Sequence, residues 1–151
     1  MKKDILSYEN SDIVEAFCKS FDVELIEAKD IFSQMLKWFV FCTDKETSEY
    51  RNIDDATLII DEMWHTFILF TGDYTKFCKQ YVGYYLHHKP STNADLKQQR
   101  KRTIEEITTK KKAQYELVYD ILGQDTFVKW YDEYPDKYSL ENITKLKKNR
   151  F

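Results

Sequence analysis

Turn-forming residues are scarce in this sequence, with three glycines and two prolines in 151 residues. Strand-rich sandwiches and barrels need a turn every ~8–12 residues, and glycine and proline supply most of them. Their near-absence excludes such folds and leaves helices. Cysteine is also scarce. Cys18, Cys42 and Cys78 are odd in number and widely spaced, with no C-x-x-C pair, the pattern of reduced thiols. No apolar run approaches the ~20 residues that span a bilayer. The opening Met-Lys-Lys-Asp lacks an apolar signal region, so the expected location is cytoplasmic, with no membrane partner. Also missing are G-x-S-x-G, a phosphate-binding glycine loop, a dinucleotide fingerprint and the H-E-x-x-H of zincin proteases.

Charge of neither sign dominates, yet the net charge of −3 conceals blocks. Residues 1–96 are acidic, 97–112 basic, 113–143 acidic and 144–151 basic. The overall acidity argues against general nucleic-acid binding. The basic block Lys97–Lys112 reads either as a solvated helix face or as the contact for an acidic protein partner.

What is abundant is apolar and aromatic side chain, 42% and 16% of the chain. A chain of this length suits one domain, 1–151, able to bury a core without disulfides or a structural metal. The expectation is an all-α fold, a single irregular bundle of about six to seven helices. The first runs from a Ser11 cap to about Ser20. The second runs from Asp22 or Val23 to about Cys42 and buries Ile26, Ile31, Phe32, Met35, Leu36, Phe39 and Val40. After a loop, Asp54 or Asp55 caps a third helix that reaches a break at Thr71-Gly72. Asp73 caps a fourth, which fades before His87, His88 and Pro90. Residues 89–94 form a linker. A long, initially projecting helix then spans about 95–122, with Gly123 as its stop. A short aromatic helix covers Thr126–Tyr134 and ends before Pro135, and Ser139 caps the last. The lysines at 145, 147 and 148 read as a solvated tail. Trp130, Tyr131, Tyr134 and Tyr138 read as core, or as a partner-binding surface.

The chemistry concentrates between residues 54 and 90. Asp61 and His65 stand four apart on the third helix, which stacks their side chains on one face. Glu62 lies about 100° round from Asp61. An antiparallel return through Thr71-Gly72 would carry His88 back toward Asp61. Two histidines and a carboxylate are a ligand set used by catalytic zinc and by non-haem iron. The candidate metal ligands are therefore Asp61, His65 and His88, with Glu62, Tyr74, Cys78 and His87 as secondary candidates and zinc, iron or manganese as the divalent ion. Glu62-Met63-Trp64-His65 matches E-x-x-H, but a di-iron bundle needs that motif twice and it occurs once. Cys78 among Phe77, Tyr81 and Val82 reads as inert core rather than as a nucleophile. The competing reading of the whole stretch is a wet helix stripe whose histidines serve as caps and hydrogen-bonding groups.

The run I-I-D-E-M-W-H-T-F-I-L-F-T-G-D-Y-T-K-F-C-K-Q-Y-V-G-Y-Y-L-H-H-K-P resembles the helical domain of glycine-rich-domain-containing proteins, and more closely its short bacterial relatives of unassigned function. Asp61, Trp64, His65, Tyr74, Cys78, Gly83 and His88 carry the resemblance, over about a quarter of the chain. The plant-type W-H-x-H reads W-H-T-F here, with Phe67 at the second histidine, and the glycine-rich region is missing. The resemblance implies a helical fold and a shared site around His65 and His88, without a reaction. Two functions remain open: a helical domain with a polar or metal-binding site, and a non-catalytic interaction module in which the motif is structural.

Overall fold

The computed structural model describes residues 3–89 and 92–148. Among the described residues there is no strand, and the chain is all-α. The helices are α1 (Ser11–Ser20), α2 (Leu25–Thr43), α3 (Leu58–Leu69), α4 (Thr71–Phe77), α5 (Asn93–Arg100), α6 (Ile104–Leu122), α7 (Gln124–Val128), α8 (Tyr134–Lys137) and α9 (Leu140–Leu146). A π-helical turn, Cys78–Val82, extends α4, and a second, Lys129–Glu133, joins α7 to α8.

Helix α2 is the centre. Ala28, Ile31, Phe32, Met35, Leu36, Trp38, Phe39, Phe41 and Cys42 are all buried along it, too many for a single stripe, so α1, α3 and α6 pack around it. Ile26, expected in this core, is instead 76% exposed, because it lies in the first turn before the neighbouring helices close in. Helix α3 adds Ile59, Ile60, Met63, Trp64 and Phe67. Tyr8, from the segment before α1, packs its ring against Phe67 at 5.6 Å and Phe77 at 4.8 Å. The buried side chains form one contiguous cluster, to which Trp130, Tyr134, Tyr138 and Ile143 contribute from the C-terminal helices. The C-terminal aromatics are thus core rather than a docking surface.

Several boundaries differ from the sequence expectation, each for a local reason. Ser11 is the first helical residue rather than the cap, and the cap position, Asn10, makes no capping bond. The Asn10 amide is engaged by Tyr8 and Asp73 instead. Helix α2 starts at Leu25 because Phe21 is held extended in a bridge to Lys147 while Asp22 N–H donates to the Leu146 carbonyl. Lys148 N–H donates to the Ser20 carbonyl, so the last described residues are tied to the α1–α2 junction and are no free tail. Asp54 accepts from Ala56 N–H and closes a turn upstream of α3 rather than capping it. The break after α3 falls at Phe70, so Gly72 and Asp73 are inside α4.

The long helix expected over 95–122 is two helices. Thr103 and Glu106 form a reciprocal capping box that starts α6, and Thr92 and Asp95 form another that starts α5. The eight continuous helices that result among the described residues, against six to seven expected, owe the extra one to this break. The aromatic helix does not stop at Pro135. Tyr134 N–H bonds back to the Lys129 carbonyl in the π-turn, and Pro135, which has no N–H, falls where the ladder returns to α register. Ser139 caps α9 through Asn142 N–H. In the expected linker 89–94, residues 90 and 91 lie outside the described residues.

Candidate functional site

The site is built where α3 meets the strap that follows α4. Asp61 and His65 project from the same side of α3, and Asp61 Oδ2 lies 3.5 Å from His65 Nε2. At the end of α4 the π-turn carries the chain into Gly83, whose φ of 91° lies in the left-handed region that glycine adopts freely. The chain then runs back along α3 through Tyr84 to Lys89. This strap brings His88 Nε2 into direct hydrogen-bonding contact with Asp61 Oδ1. One carboxylate therefore faces two imidazoles, one through each oxygen.

Buried hydrogen bonds fix the strap. Tyr74 is 1% exposed, and its hydroxyl accepts from the Trp64 indole at 3.0 Å while donating to the Leu86 carbonyl. Leu86 N–H in turn reaches Cys78 Sγ at 3.5 Å. Both polar groups of the Leu86 backbone are thus satisfied from α4 and its π-turn, which leaves His88 two residues on with little freedom. The Trp64 ring packs on His88 with centroids 4.3 Å apart. Burial raises the Tyr74 hydroxyl far above the ordinary tyrosine range, so it remains a neutral donor. Burial likewise pushes the Cys78 thiol up, which is the opposite of an activated nucleophile.

The ligand-capable atoms of Asp61, His65 and His88 all lie within 4.8 Å of one another. The imidazole rings of His65 and His88 are 4.6 Å apart. Exposure is graded: the side chains of His88 and Asp61 are 14% and 19% accessible, whereas His65 is 49% accessible. The cluster is walled on the Trp64 side and open to solvent at His65. Of the secondary candidates, Glu62 is not part of the cluster, and His87 is exposed and packs on Tyr85 at 4.7 Å. Tyr74 and Cys78 are near the site as latches for the strap, with their polar atoms turned to Trp64 and Leu86.

That latch is what reading the sequence alone missed. Gly83 was the available signal, since a glycine directly after Tyr81-Val82 marks a left-handed stop and a sharp return.

A family model described as UCP032817-like matches residues 8–117, a span that holds the whole Asp61–His65–His88 cluster and the latch behind it. No curated protein and no solved structure matches the chain. The match covers well over half of the sequence, and the chain belongs to the UCP032817-like family.

Proposed function

We propose that this protein is a small cytoplasmic helical domain that binds a divalent metal ion, zinc, iron or manganese, through Asp61, His65 and His88. The observation that carries the reading is the convergence of two imidazole nitrogens and one carboxylate oxygen, all within 4.8 Å of one another. To meet an ion at the ~2.0–2.2 Å typical of zinc bound to nitrogen and oxygen, the Asp61–His88 contact would open to admit it while His65 stays nearby. The likeness of the motif to the helical domain of glycine-rich-domain-containing proteins fits the same site.

Without an ion, His88 Nε2 is hydrogen-bonded to the carboxylate and His65 Nε2 stands 3.5 Å from it. An ion would take the place of the protons between them, so both rings would have to present Nε2 lone pairs and carry their proton on Nδ1. The ion and a proton compete for those lone pairs, so binding weakens on acidification. Three protein ligands with a half-exposed histidine leave room for a water or substrate, as in catalytic rather than closed structural sites. Polarising such a group is the chemistry the ion would supply.

Metal analysis of protein purified without a histidine tag tests the reading, together with thermal shifts in zinc, manganese and ferrous iron. About one metal per chain, lost in His65→Ala, is the expected result. Absence of stoichiometric metal, with no stabilisation by any of the three, overturns it.

The direct Asp61–His88 contact favours a second reading, in which the motif is a clasp between α3 and the strap within a non-catalytic interaction module. On that reading His88→Ala lowers stability and no metal raises it.

A further inference from the structure

Away from the histidines, α5 and α6 splay apart after the break at Lys101–Thr103 and enclose a cleft of about 870 Å³ against residues 48–52. One turn-spaced row of each helix lines it: Gln98, Gln99 and Arg102 from α5 and its end, Lys110 and Lys111 from α6. Helix α5 buries no residue at all, so the apolar core does not explain where this helix lies. The lining is hydrophilic, with Ile107 its apolar exception.

The floor is fixed. Gln114 is buried and clamps Asn52 with both ends of its amide, accepting from Asn52 N–H at 3.0 Å and donating to its carbonyl at 2.8 Å. Beside it, Arg51 donates from Nε to Thr47 Oγ1 at 3.1 Å and from Nη2 to the Asp44 carbonyl at 3.0 Å. This guanidinium is held in place with its remaining N–H groups unspent. On the helix walls, Arg102 after α5 and Lys110 and Lys111 on α6 make no ion pair with any described residue, although Lys110 is half-buried. Two acids share the lining. Asp95 is already spent on its capping box, and Glu49 is exposed. Four cations, none of them in an ion pair among the described residues, therefore line one polar cavity in a chain of net charge −3.

We propose that this cleft is a binding site for a hydrophilic polyanion bearing two or more phosphoryl groups. Arg51 and Arg102 supply planar donor forks suited to phosphoryl oxygens, Lys110 and Lys111 supply point charges, and the two glutamines supply amides for a polar remainder. The volume lies in the range of small-molecule pockets, and the polar lining suits a phosphorylated metabolite better than an amphipathic peptide, which would want an apolar floor. The site is independent of the histidine cluster.

Calorimetric titration of the full chain with pyrophosphate, a nucleoside triphosphate, inorganic phosphate and polyglutamate tests the proposal. The expected result is one-to-one binding of pyrophosphate or the triphosphate, tighter than that of inorganic phosphate and weakened by added salt. Lys110→Gln/Lys111→Gln should weaken it by about tenfold or more, roughly one charge-assisted contact. Arg102→Gln on the opposite wall should weaken it too, with each variant melting like the parent and His65→Ala binding like the parent. No saturable phosphate binding, binding unchanged in these variants, or polyglutamate that binds more tightly and displaces pyrophosphate would each overturn it.

Discussion

Two buried tyrosine hydroxyls separate what holds the site from what merely fills the core. The Tyr74 hydroxyl has two partners, Trp64 and the Leu86 carbonyl, whereas that of Tyr134, equally buried, has none. Tyr74→Phe strands a buried N–H and a buried carbonyl, and should cost about 2–4 kcal/mol. Tyr134→Phe removes a group that was never satisfied and should be neutral or stabilising by up to ~1 kcal/mol. Urea denaturation of the two variants side by side checks the contrast. Equal losses would mean that Tyr134 has an acceptor. Asp61 and His65 were legible in the sequence, because i, i+4 spacing on an apolar-periodic helix fixes their common face. His88 was legible only as a possibility, since its approach depends on the Tyr74–Leu86 latch, which spans twelve residues of chain and leaves no periodic trace.

At the scale of elements, most helices are dictated by apolar period, and the errors fall where a side-chain cap overrides continuity. Charged and polar residues predominate on both sides of the α5–α6 break between Lys97 and Lys112, so no change in composition marks it. The reciprocal Thr103–Glu106 cap makes it, and T-x-x-E was present to be read. Thr103→Ala should cost about 1 kcal/mol and loosen the first turn of α6, seen as faster amide exchange there with little change elsewhere. The π-turns were not legible at all, since nothing in apolar spacing distinguishes one extra residue in a turn. Gly83, which ends the first of them at φ 91°, is the tightest sequence requirement of the strap. Gly83→Ala should destabilise by about 1–2 kcal/mol through left-handed strain, and weaken any metal binding along with it. Loss of stability with unchanged metal affinity would show that the strap can be repositioned without moving His88.

For the molecule as a whole, an electrostatic seam joins α2 to the C-terminal helices. Glu27 accepts from the Tyr138 hydroxyl at 2.7 Å and pairs with Lys137 at 3.0 Å, while Asp30 pairs with Lys129 at 2.9 Å. Partial burial works against the Glu27 carboxylate, but the bonds from Tyr138 and Lys137 outweigh it and hold its pKa below the usual 4.5. A carboxyl lowered by folding adds stability at pH values above its unfolded value, and that contribution fades as the pH falls through its folded value. Glu27→Gln should therefore lower the melting temperature near neutrality and flatten its further loss on acidification below about pH 4.5, measured as melting temperature against pH. An unchanged acid limb would place the acid sensitivity elsewhere.

Trp64 gives the candidate site an optical consequence. Of the three tryptophans, Trp38 and Trp130 lie together in the core with ring centroids 5.9 Å apart, while Trp64 alone touches His88 and bonds to Tyr74. A change at His88 takes place against that indole, and a movement of the strap reaches its N–H through the Tyr74 hydroxyl. In a Trp38→Phe/Trp130→Phe background, the remaining emission would report events at Asp61, His65 and His88 without an added label, and its silence toward pyrophosphate would separate the two sites in one cuvette.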